Sequence, residues 1–228
     1  MTDIKKDREA WNLHLEATHD QFDQDELKLG PWTSYSLIND PKHMAFVLSR
    51  YKFCAKMLNG KNNVLEVGCG DGFGAPIIAQ SVKKLTCVDW EPRNIEGNKR
   101  RLKHLKNTSF IELDISENTI EENFDGIFNI DVIEHLEPEY EKKFMDNMVK
   151  CLDTNGVLIV GTPNESASMH AHFRSDHQHI NLKSGKTIKE LFDRYFHNTF
   201  VFSMNDEVMH TGFYPMAHYL FAIGVGKK

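Results

Sequence analysis

The clearest candidate for a chemical role is the glycine-rich segment Val64–Gly74. In this segment, four glycines alternate with other residues after a short apolar run. Glycine lets a backbone turn sharply and approach a ligand, so an apolar strand that runs into such a turn is typical of a ligand-binding loop. The dinucleotide pattern GxGxxG would need glycine where Phe73 stands, which disfavours NAD. Asp89 ends the next predicted strand about 20 residues after Gly68, where a carboxylate can accept both hydroxyls of a ribose. Together these features predict an adenosine-containing ligand.

A second polar group, Asp131, Glu134 and His135, follows the fourth predicted strand. Ligands of open α/β folds bind outside the carboxyl ends of the strands, so this group is predicted to face the bound molecules. His135 can serve there as a general base or as a hydrogen-bonded residue that holds the loop, and the sequence leaves both roles open.

Two later segments add further histidines. The segment Met169–Asn181 contains two HxH pairs, the second ending at His179, and its composition suits a loop over the substrate or a metal site. His210 lies in the polar and aromatic connection from Met204 to His218, and long ordered loops often carry function. His135, His179 and His210 are the candidate catalytic residues.

Short apolar runs alternate with helical segments after residue 62, which is typical of βαβ units and a parallel sheet. Two further strands at the end of the chain are joined only by a loop, so they are predicted to be antiparallel. The predicted fold is α/β, with a Rossmann-like, seven-stranded, mostly parallel sheet that ends in an antiparallel pair. The predicted strands are Val64–Val67, Leu85–Val88, Phe110–Leu113, Gly126–Ile130, Val157–Gly161, Thr199–Met204 and Tyr219–Val225; the predicted helices among them are Ala75–Val82, Pro92–Leu105, Glu139–Leu152 and Thr187–Tyr195.

The segment before the sheet is predicted to be helical. Charged and apolar residues mix over 4–19, the Gly30-Pro31-Trp32 triplet interrupts the chain, and Pro41–Leu58 carries apolar residues at helical spacing. We therefore expect residues 1–60 to form a helical cap and residues 61–228 to form the ligand-binding domain.

Composition limits the class of protein. The chain has 228 residues, 40% of them hydrophobic, and a formal net charge of −6, which disfavours a nucleic-acid partner. Four cysteines without CxxC spacing fit reduced thiols, and no apolar run approaches the roughly 20 residues that span a bilayer. We expect a cytoplasmic protein without membrane association, for which a homodimer is compatible with the sequence.

The segments Glu66–Gly72, Val88-Asp89, Leu113–Ile115 and Phe124-Asp125 resemble, in order and spacing, the successive motifs of class I S-adenosylmethionine-dependent methyltransferases. The resemblance implies S-adenosylmethionine as the cofactor, with its methionine portion on the glycine loop, its ribose at Asp89 and its adenine amino group at Asp114. An ordinary turn role for Asp114 and a packing role for Trp90 stay open alternatives. The implied cofactor-binding residues are Glu66, Gly68, Cys69, Gly70, Asp71, Gly72, Asp89, Trp90, Asp114, Ile115 and Asp131.

Outside this core, Tyr51–Phe53, His179–Leu182 and His210–Tyr214 resemble segments of methyltransferases from bacterial surface-polysaccharide pathways. The resemblance implies a small-molecule substrate whose acceptor oxygen lies on a sugar, a nucleotide-linked capsule precursor or a phosphoramidate-type group, with Arg50, Lys52 and Arg174 available for an anionic portion. A ubiquinone-type aromatic O-methyltransferase and a non-catalytic S-adenosylmethionine-binding protein are the alternatives. No metal site is predicted, because methyl transfer itself needs no metal. The predicted substrate-binding residues are Tyr51, Lys52, Glu134, His135, Asn164, Arg174, His179 and His210.

Overall fold

The structure, a computed structural model, describes residues 2–17, 28–170 and 179–228. Its helices are α1 (Thr2–Ala17), α2 (Pro31–Asn39), α3 (His43–Met57), α4 (Ala75–Ala79), α5 (Pro92–Arg101), α6 (Pro138–Cys151) and α7 (Gly185–Asp193). Its strands are β1 (Asn63–Val67), β2 (Lys84–Asp89), β3 (Thr108–Glu112), β4 (Phe124–Ile130), β5 (Leu152–Pro163), β6 (Phe196–Asn205), β7 (Val208–His210) and β8 (Tyr219–Lys227).

These strands form one mixed sheet in the order β3-β2-β1-β4-β5-β8-β6-β7. Strands β1 to β5 are parallel, while β8 runs antiparallel to both β5 and β6. Strands β2 and β3 lie on one side of β1, and the chain then returns to place β4 on its other side. The strand order therefore reverses between β1 and β4. Such a switch point opens a crevice at the carboxyl ends of the two strands, where ligands of this architecture bind.

The predicted mostly parallel Rossmann-like sheet with antiparallel C-terminal strands is confirmed, with eight strands instead of seven. The added strand, β7, lies inside the predicted Met204–His218 loop and pairs with β6 through a turn at Asp206, whose φ is 49°. A three-residue strand is too short for alternating hydrophobicity to be visible in the sequence.

Helix α2 is the second difference, because it begins at the Gly30-Pro31-Trp32 triplet that the sequence suggests is an interruption. Pro31 occupies the first turn of the helix, with Gly30 as its N-cap. Proline is favoured there because its fixed φ suits a helix and its missing N–H is not needed in the first turn. The triplet therefore marks the start of a helix.

Apolar side chains cover both faces of the sheet. On one face, α3, α4 and α5 contribute residues such as Cys54, Ile78 and Ile95 to a buried cluster. On the other face, α6 and α7 contribute residues such as Phe144 and Phe192. Since α3 shares its core with the sheet, the domain boundary at residue 60 stays a prediction.

Among the residues described, no helix is long and apolar enough to cross a membrane.

Candidate active site

The glycine loop after β1 has a backbone that only glycine adopts easily. Gly68, Gly70 and Gly72 have φ values of 75°, 52° and 74°, in the left-handed region. A Cβ on Gly68 would overlap the side chain of Val132, whereas a Cβ on Gly70 would meet nothing within 4 Å. The loop therefore packs tightly against the segment after β4 at Gly68 and leaves room for a ligand at Gly70.

Asp89 is fixed beside this loop. Its Oδ2 accepts a hydrogen bond from the Gly70 backbone N–H at 2.8 Å, and its Oδ1 accepts bonds from the Glu91 N–H at 2.9 Å and Asn94 Nδ2 at 3.3 Å. Carboxylate oxygens have further acceptor capacity, so ribose hydroxyls can still bind. The adjoining Trp90 is 68% exposed, which suits an aromatic surface for adenine better than packing in the core.

Asp71 connects the loop to helix α2. Its two oxygens accept hydrogen bonds from the Thr33 backbone N–H at 2.8 Å and the Thr33 hydroxyl at 2.9 Å. Both carboxylate oxygens are thus used to hold α2 against the glycine loop. On the other side of the loop, Asn98 Nδ2 donates to the Gly70 carbonyl at 2.8 Å and to the buried Cys69 sulfur at 3.7 Å. No sequence pattern points to Thr33 or Asn98, because both residues lie far along the chain from their partners.

Glu66 lies buried at the end of β1, behind the loop. Its Oε1 accepts from the Tyr51 hydroxyl at 3.0 Å and its Oε2 from the Cys87 thiol at 3.2 Å. Burial raises the pKa of Glu66 to about 7, even though these hydrogen bonds favour its charged form. Tyr51, predicted to bind substrate, thus contacts a residue predicted to bind the cofactor, and its ring fills the space that a Cβ on Gly74 would need.

Asp114 and Ile115 follow β3 on the adenine side of the predicted site. Asp114 Oδ1 accepts hydrogen bonds from the Ser116 backbone N–H at 2.8 Å and the Ser116 hydroxyl at 2.6 Å, as in an Asx turn. These bonds use Oδ1, so Oδ2 can still accept from an adenine amino group. Ile115 is 2% exposed and belongs to the core beneath α6.

At the end of β4, Asp131 adopts a left-handed backbone with a φ of 56°. Its Oδ2 forms an ion pair with Arg50 Nη1 at 2.8 Å, and the Arg50 guanidinium lies 3.9 Å from the centre of the Tyr219 ring. Within the part of the chain that the structure describes, Arg50 Nε and the Tyr219 hydroxyl are buried without a hydrogen-bond partner. Burial raises the pKa of Tyr219 well above its ordinary value, and the negative charge of the neighbouring Asp131 adds to the rise.

Glu134, His135 and His179 converge next to Asp131. The His135 and His179 rings meet edge to face with centroids 5.1 Å apart, and one ligand atom from each of the three residues lies within 4.8 Å of the others. The Glu134 carbonyl accepts a hydrogen bond from the Asn181 N–H at 3.0 Å, which fixes the segment that carries His179. Burial raises the pKa of Glu134 well above its ordinary value, and the charge of Asp131 adds to the rise. The structure thus brings together two of the three predicted catalytic histidines.

His210, the third predicted catalytic histidine, uses both ring nitrogens in its own hairpin. Gly212 N–H donates to Nδ1 at 3.0 Å, so Nε2 carries the proton and donates to Asn205 Oδ1 at 2.9 Å. Its catalytic role stays a prediction.

The other predicted substrate residues have different surroundings. Asn164 is buried and its Nδ2 donates to the carbonyls of Tyr214 and Ala217, at 2.7 and 2.8 Å, which ties the β7–β8 connection to β5. Lys52 is exposed on α3, and Arg174 lies outside the described residues.

Tyr219 and Lys183 line the same edge of the sheet but carry no signal in the sequence. Tyr219 opens β8, where a sequence pattern indicates only core packing. Lys183 is buried, donates to Asn181 Oδ1 at 2.7 Å and forms an ion pair with Glu141. Only a tertiary contact reveals either residue.

Comparisons with known proteins identify the family of the chain. Residues 41–195 match the sequence pattern of a protein family described as "Methyltransferase domain". A probable S-adenosylmethionine-dependent methyltransferase from Mycolicibacterium smegmatis is 29% identical over 104 residues, which are 45% of this chain and 38% of that protein. A ubiquinone biosynthesis O-methyltransferase from Rickettsia typhi is 30% identical over 111 residues, which are 46% of this chain and 43% of that protein.

A solved structure with a similar fold is the N-methyltransferase NodS from Bradyrhizobium japonicum, in complex with S-adenosyl-L-homocysteine. Its TM-score is 0.64 at 22% identity, over 84% of this chain and 91% of that chain. The alignments with the two sequence relatives cover less than half of their length. The family match and the sequence relatives confirm the predicted cofactor, S-adenosylmethionine. The finer resemblance to surface-polysaccharide enzymes is not confirmed by these matches.

Proposed function

Because this chain belongs to the methyltransferase-domain family, we propose that it methylates an oxygen atom of a small polar metabolite, with S-adenosylmethionine as the methyl donor. One observation carries the proposal: the segment that bears Glu134 and His135 packs through Val132 directly against Gly68 of the glycine loop. Groups that can act on a hydroxyl proton therefore lie beside the loop that would hold the donor.

The residues of the loop fit the donor. Gly70 leaves open space, Asp89 presents a carboxylate beside it, and Trp90 offers an exposed aromatic face. When bound, S-adenosylmethionine supplies an electrophilic methyl group on its sulfonium sulfur. The chain then contributes mainly by orienting the two reactants, which can account for a large part of the barrier reduction without any covalent intermediate on the protein.

The groups on the acceptor side favour an oxygen acceptor. A neutral hydroxyl must lose its proton as it attacks, and the converging side chains of His135, His179 and Glu134 support this role, because each can accept a proton. Arg50 and Asp131 supply a guanidinium and a carboxylate in the same region, which suits a polar molecule with several hydrogen-bonding groups. We propose a sugar, a nucleotide-linked precursor or a phosphoramidate-type capsule precursor as the substrate class. The cytoplasmic location of the protein stays a prediction.

A ubiquinone-type aromatic hydroxyl is the second candidate acceptor. The sequence similarity to the Rickettsia typhi ubiquinone biosynthesis O-methyltransferase favours it. The two candidates differ in the acceptor and share the donor side.

Donor binding and methyl transfer are tested separately. Calorimetric titration with S-adenosylmethionine should give saturable heat that Asp89→Ala strongly weakens, while Glu121→Ala, an exposed carboxylate before β4, leaves it unchanged. Labelled methyl donor is then offered with sugar, sugar-nucleotide, phosphoramidate, catechol and amine acceptors, and the products are identified by mass spectrometry. Absence of heat would refute the donor assignment, and transfer to amines alone would refute O-methylation.

A further inference from the structure

We propose that Arg50, Asp131 and Tyr219 form a subsite that binds two adjacent hydroxyl groups of an uncharged acceptor. The subsite itself follows from the buried side chains, whereas its use in methyl transfer rests on the proposed O-methyltransferase function. The sequence alone makes Arg50 available to an anionic group and indicates only core packing for Tyr219.

The three side chains come from separate segments and are held in one arrangement. Arg50 lies on α3, Asp131 follows β4, and Tyr219 opens β8. Arg50 Nη1 lies 2.8 Å from Asp131 Oδ2, and the guanidinium carbon lies 3.9 Å from the centre of the Tyr219 ring. Gly161 of β5 contacts both partners of Arg50: its carbonyl accepts from the Asp131 N–H at 3.0 Å, and a Cβ on it would lie 2.8 Å from the Tyr219 hydroxyl oxygen. The Tyr219 hydroxyl and Asp131 are therefore neighbours.

Two hydrogen-bonding groups of this arrangement are buried and unpaired. Arg50 Nε and the Tyr219 hydroxyl have no partner among the residues that the structure describes, although the Arg50 side chain is only 11% exposed and Tyr219 only 2%. Leaving such groups unsatisfied is costly, so they indicate a bound group that satisfies them. A guanidinium nitrogen can only donate a hydrogen bond, whereas a phenol hydroxyl can donate or accept. The missing group therefore presents at least one oxygen atom that accepts from Arg50 Nε.

The charges around the subsite favour an uncharged partner. Asp131 balances the positive charge of Arg50 at ion-pair distance. His43 lies two turns before Arg50 on α3, and burial, followed by the charge of Arg50, lowers the pKa of His43, so its imidazole adds no positive charge at neutral pH. Glu134, the other acid next to Asp131, can only add negative charge. An anion would therefore meet no net positive charge here and would be repelled by Asp131.

Two adjacent hydroxyls match the subsite, because each can both accept and donate. One hydroxyl accepts from Arg50 Nε, and the second donates to the carboxylate of Asp131, whose side chain is 33% exposed and whose oxygens each accept more than one hydrogen bond. The Tyr219 hydroxyl can bond to either of them. A carboxylate or carbonyl group can only accept, so it would leave Asp131 without a donor. A phosphate of a nucleotide-linked precursor would bind outside this subsite.

The subsite lies next to the loop that would hold the methyl donor. Asp131 directly precedes Val132, which packs against Gly68 of that loop. The hydroxyl pair would therefore be bound beside the donor, and the three side chains would orient the acceptor without taking part in bond making.

Binding is tested on the whole chain with S-adenosyl-L-homocysteine added to occupy the donor side. The diol probes are methyl glycosides of glucose, galactose and mannose together with catechol, and ligand-observed NMR measures their affinity. We expect saturable binding of at least one diol, weakened about three- to tenfold in Tyr219→Phe and about tenfold or more in Arg50→Lys, which keeps the charge but loses Nε. The matched controls are Tyr195→Phe, whose hydroxyl bonds to Asp146, and Arg100→Lys, on the exposed side of α5; both should bind normally.

Monodeoxy analogues of the diol that binds show whether the contact is direct. Removing the hydroxyl that Tyr219 contacts should weaken binding to the unsubstituted protein but cause no further loss in Tyr219→Phe. A purely structural role of Tyr219 would leave the two losses independent. Catechol binding with the same losses would also support the subsite and would assign the hydroxyl pair to an aromatic ring.

Acetate and inorganic phosphate are the competing anion probes. Displacement of the diol by either anion, lost in Arg50→Lys, would show an anion site and overturn the proposal, as would equal affinities in all variants or no binding of any diol. Unfolding curves and S-adenosylmethionine titrations verify that the variants are folded. Diol binding that both variants weaken, with methyl transfer to amines alone, would refute only the proposed function. O-methylation with KM unchanged in Arg50→Lys and Tyr219→Phe would refute only the subsite.

Discussion

The proposed donor side, residues 66–72 with Asp89, and the proposed acceptor side, residues 131–135 with Arg50, His179 and Tyr219, differ in how their buried polar atoms are satisfied. On the donor side, the carboxylates of Glu66, Asp71 and Asp89 all accept hydrogen bonds from the chain. On the acceptor side, three buried atoms lack a partner within residues 28–170 and 179–228: Arg50 Nε, Glu134 Oε1 and the Tyr219 hydroxyl.

This contrast indicates which side is complete before binding. Leaving a buried polar group unsatisfied costs about 1–3 kcal/mol, so such atoms are rare in folded proteins. Three of the six such atoms among the described residues lie on the acceptor side, where a bound group could satisfy them. We infer that the donor side is preformed and that the acceptor side is completed by what binds there.

The contact between the two sides should give the greatest loss of stability when it is disturbed. Gly68→Ala would strain a backbone with a φ of 75° and force its Cβ into Val132, so we expect a loss of about 2–5 kcal/mol in the free energy of unfolding. Gly60→Ala is the matched control, because Gly60 has a φ of 80° with nothing within 4 Å of its Cβ position. It should lose only about 1–2 kcal/mol. Urea unfolding measures both, and equal losses would show that the two sides are not packed against each other here.

A somewhat smaller loss of stability should follow a rise in pH, because of Glu66 on the donor side. The pKa of Glu66 is raised by burial from 4.5 to about 7, so the folded state holds its proton where the unfolded state has lost it. The stability that this provides is complete below pH 4.5 and is lost as the pH rises through about 7, a change of about 3 kcal/mol. Relative to Glu66→Gln, the unsubstituted protein should lose stability in urea unfolding as the pH rises from 4.5 to about 7 and should change little above that. A constant difference between the two proteins would contradict the raised pKa.

Two buried tyrosines, one on each side, should give the mildest changes in stability. Tyr51→Phe removes a hydrogen bond to the Glu66 carboxyl group and should cost about 1–2 kcal/mol. Tyr219→Phe removes a buried hydroxyl that bonds to none of the described residues, so stability should stay the same or rise slightly, while kcat/KM falls. Thermal unfolding and methyl-transfer kinetics measure both. If Tyr219→Phe were as destabilising as Tyr51→Phe, the acceptor side would be satisfied by the chain itself.

The donor side and most of the fold can be predicted from the amino-acid sequence. Strands of parallel sheets are short continuous apolar runs, and each can be identified from neighbouring residues alone. The glycine loop and Asp89 are equally local, because a ligand-binding turn needs its glycines close together and the acid at the end of the next strand. Local patterns do not predict helix α2 and strand β7, because a Gly-Pro pair also marks turns and a three-residue strand has no visible period.

The assembly of the acceptor side depends instead on the tertiary structure. His179 joins Glu134 and His135 across an intervening helix and strand, and Tyr219 reaches Arg50 from the far end of the chain. Tyr51, predicted from the sequence to bind substrate, bonds to Glu66, and its role toward the substrate stays a prediction. Convergence of distant segments depends on strand order and packing, which leave no local pattern. Local patterns therefore identify the candidate residues, and the fold selects their partners.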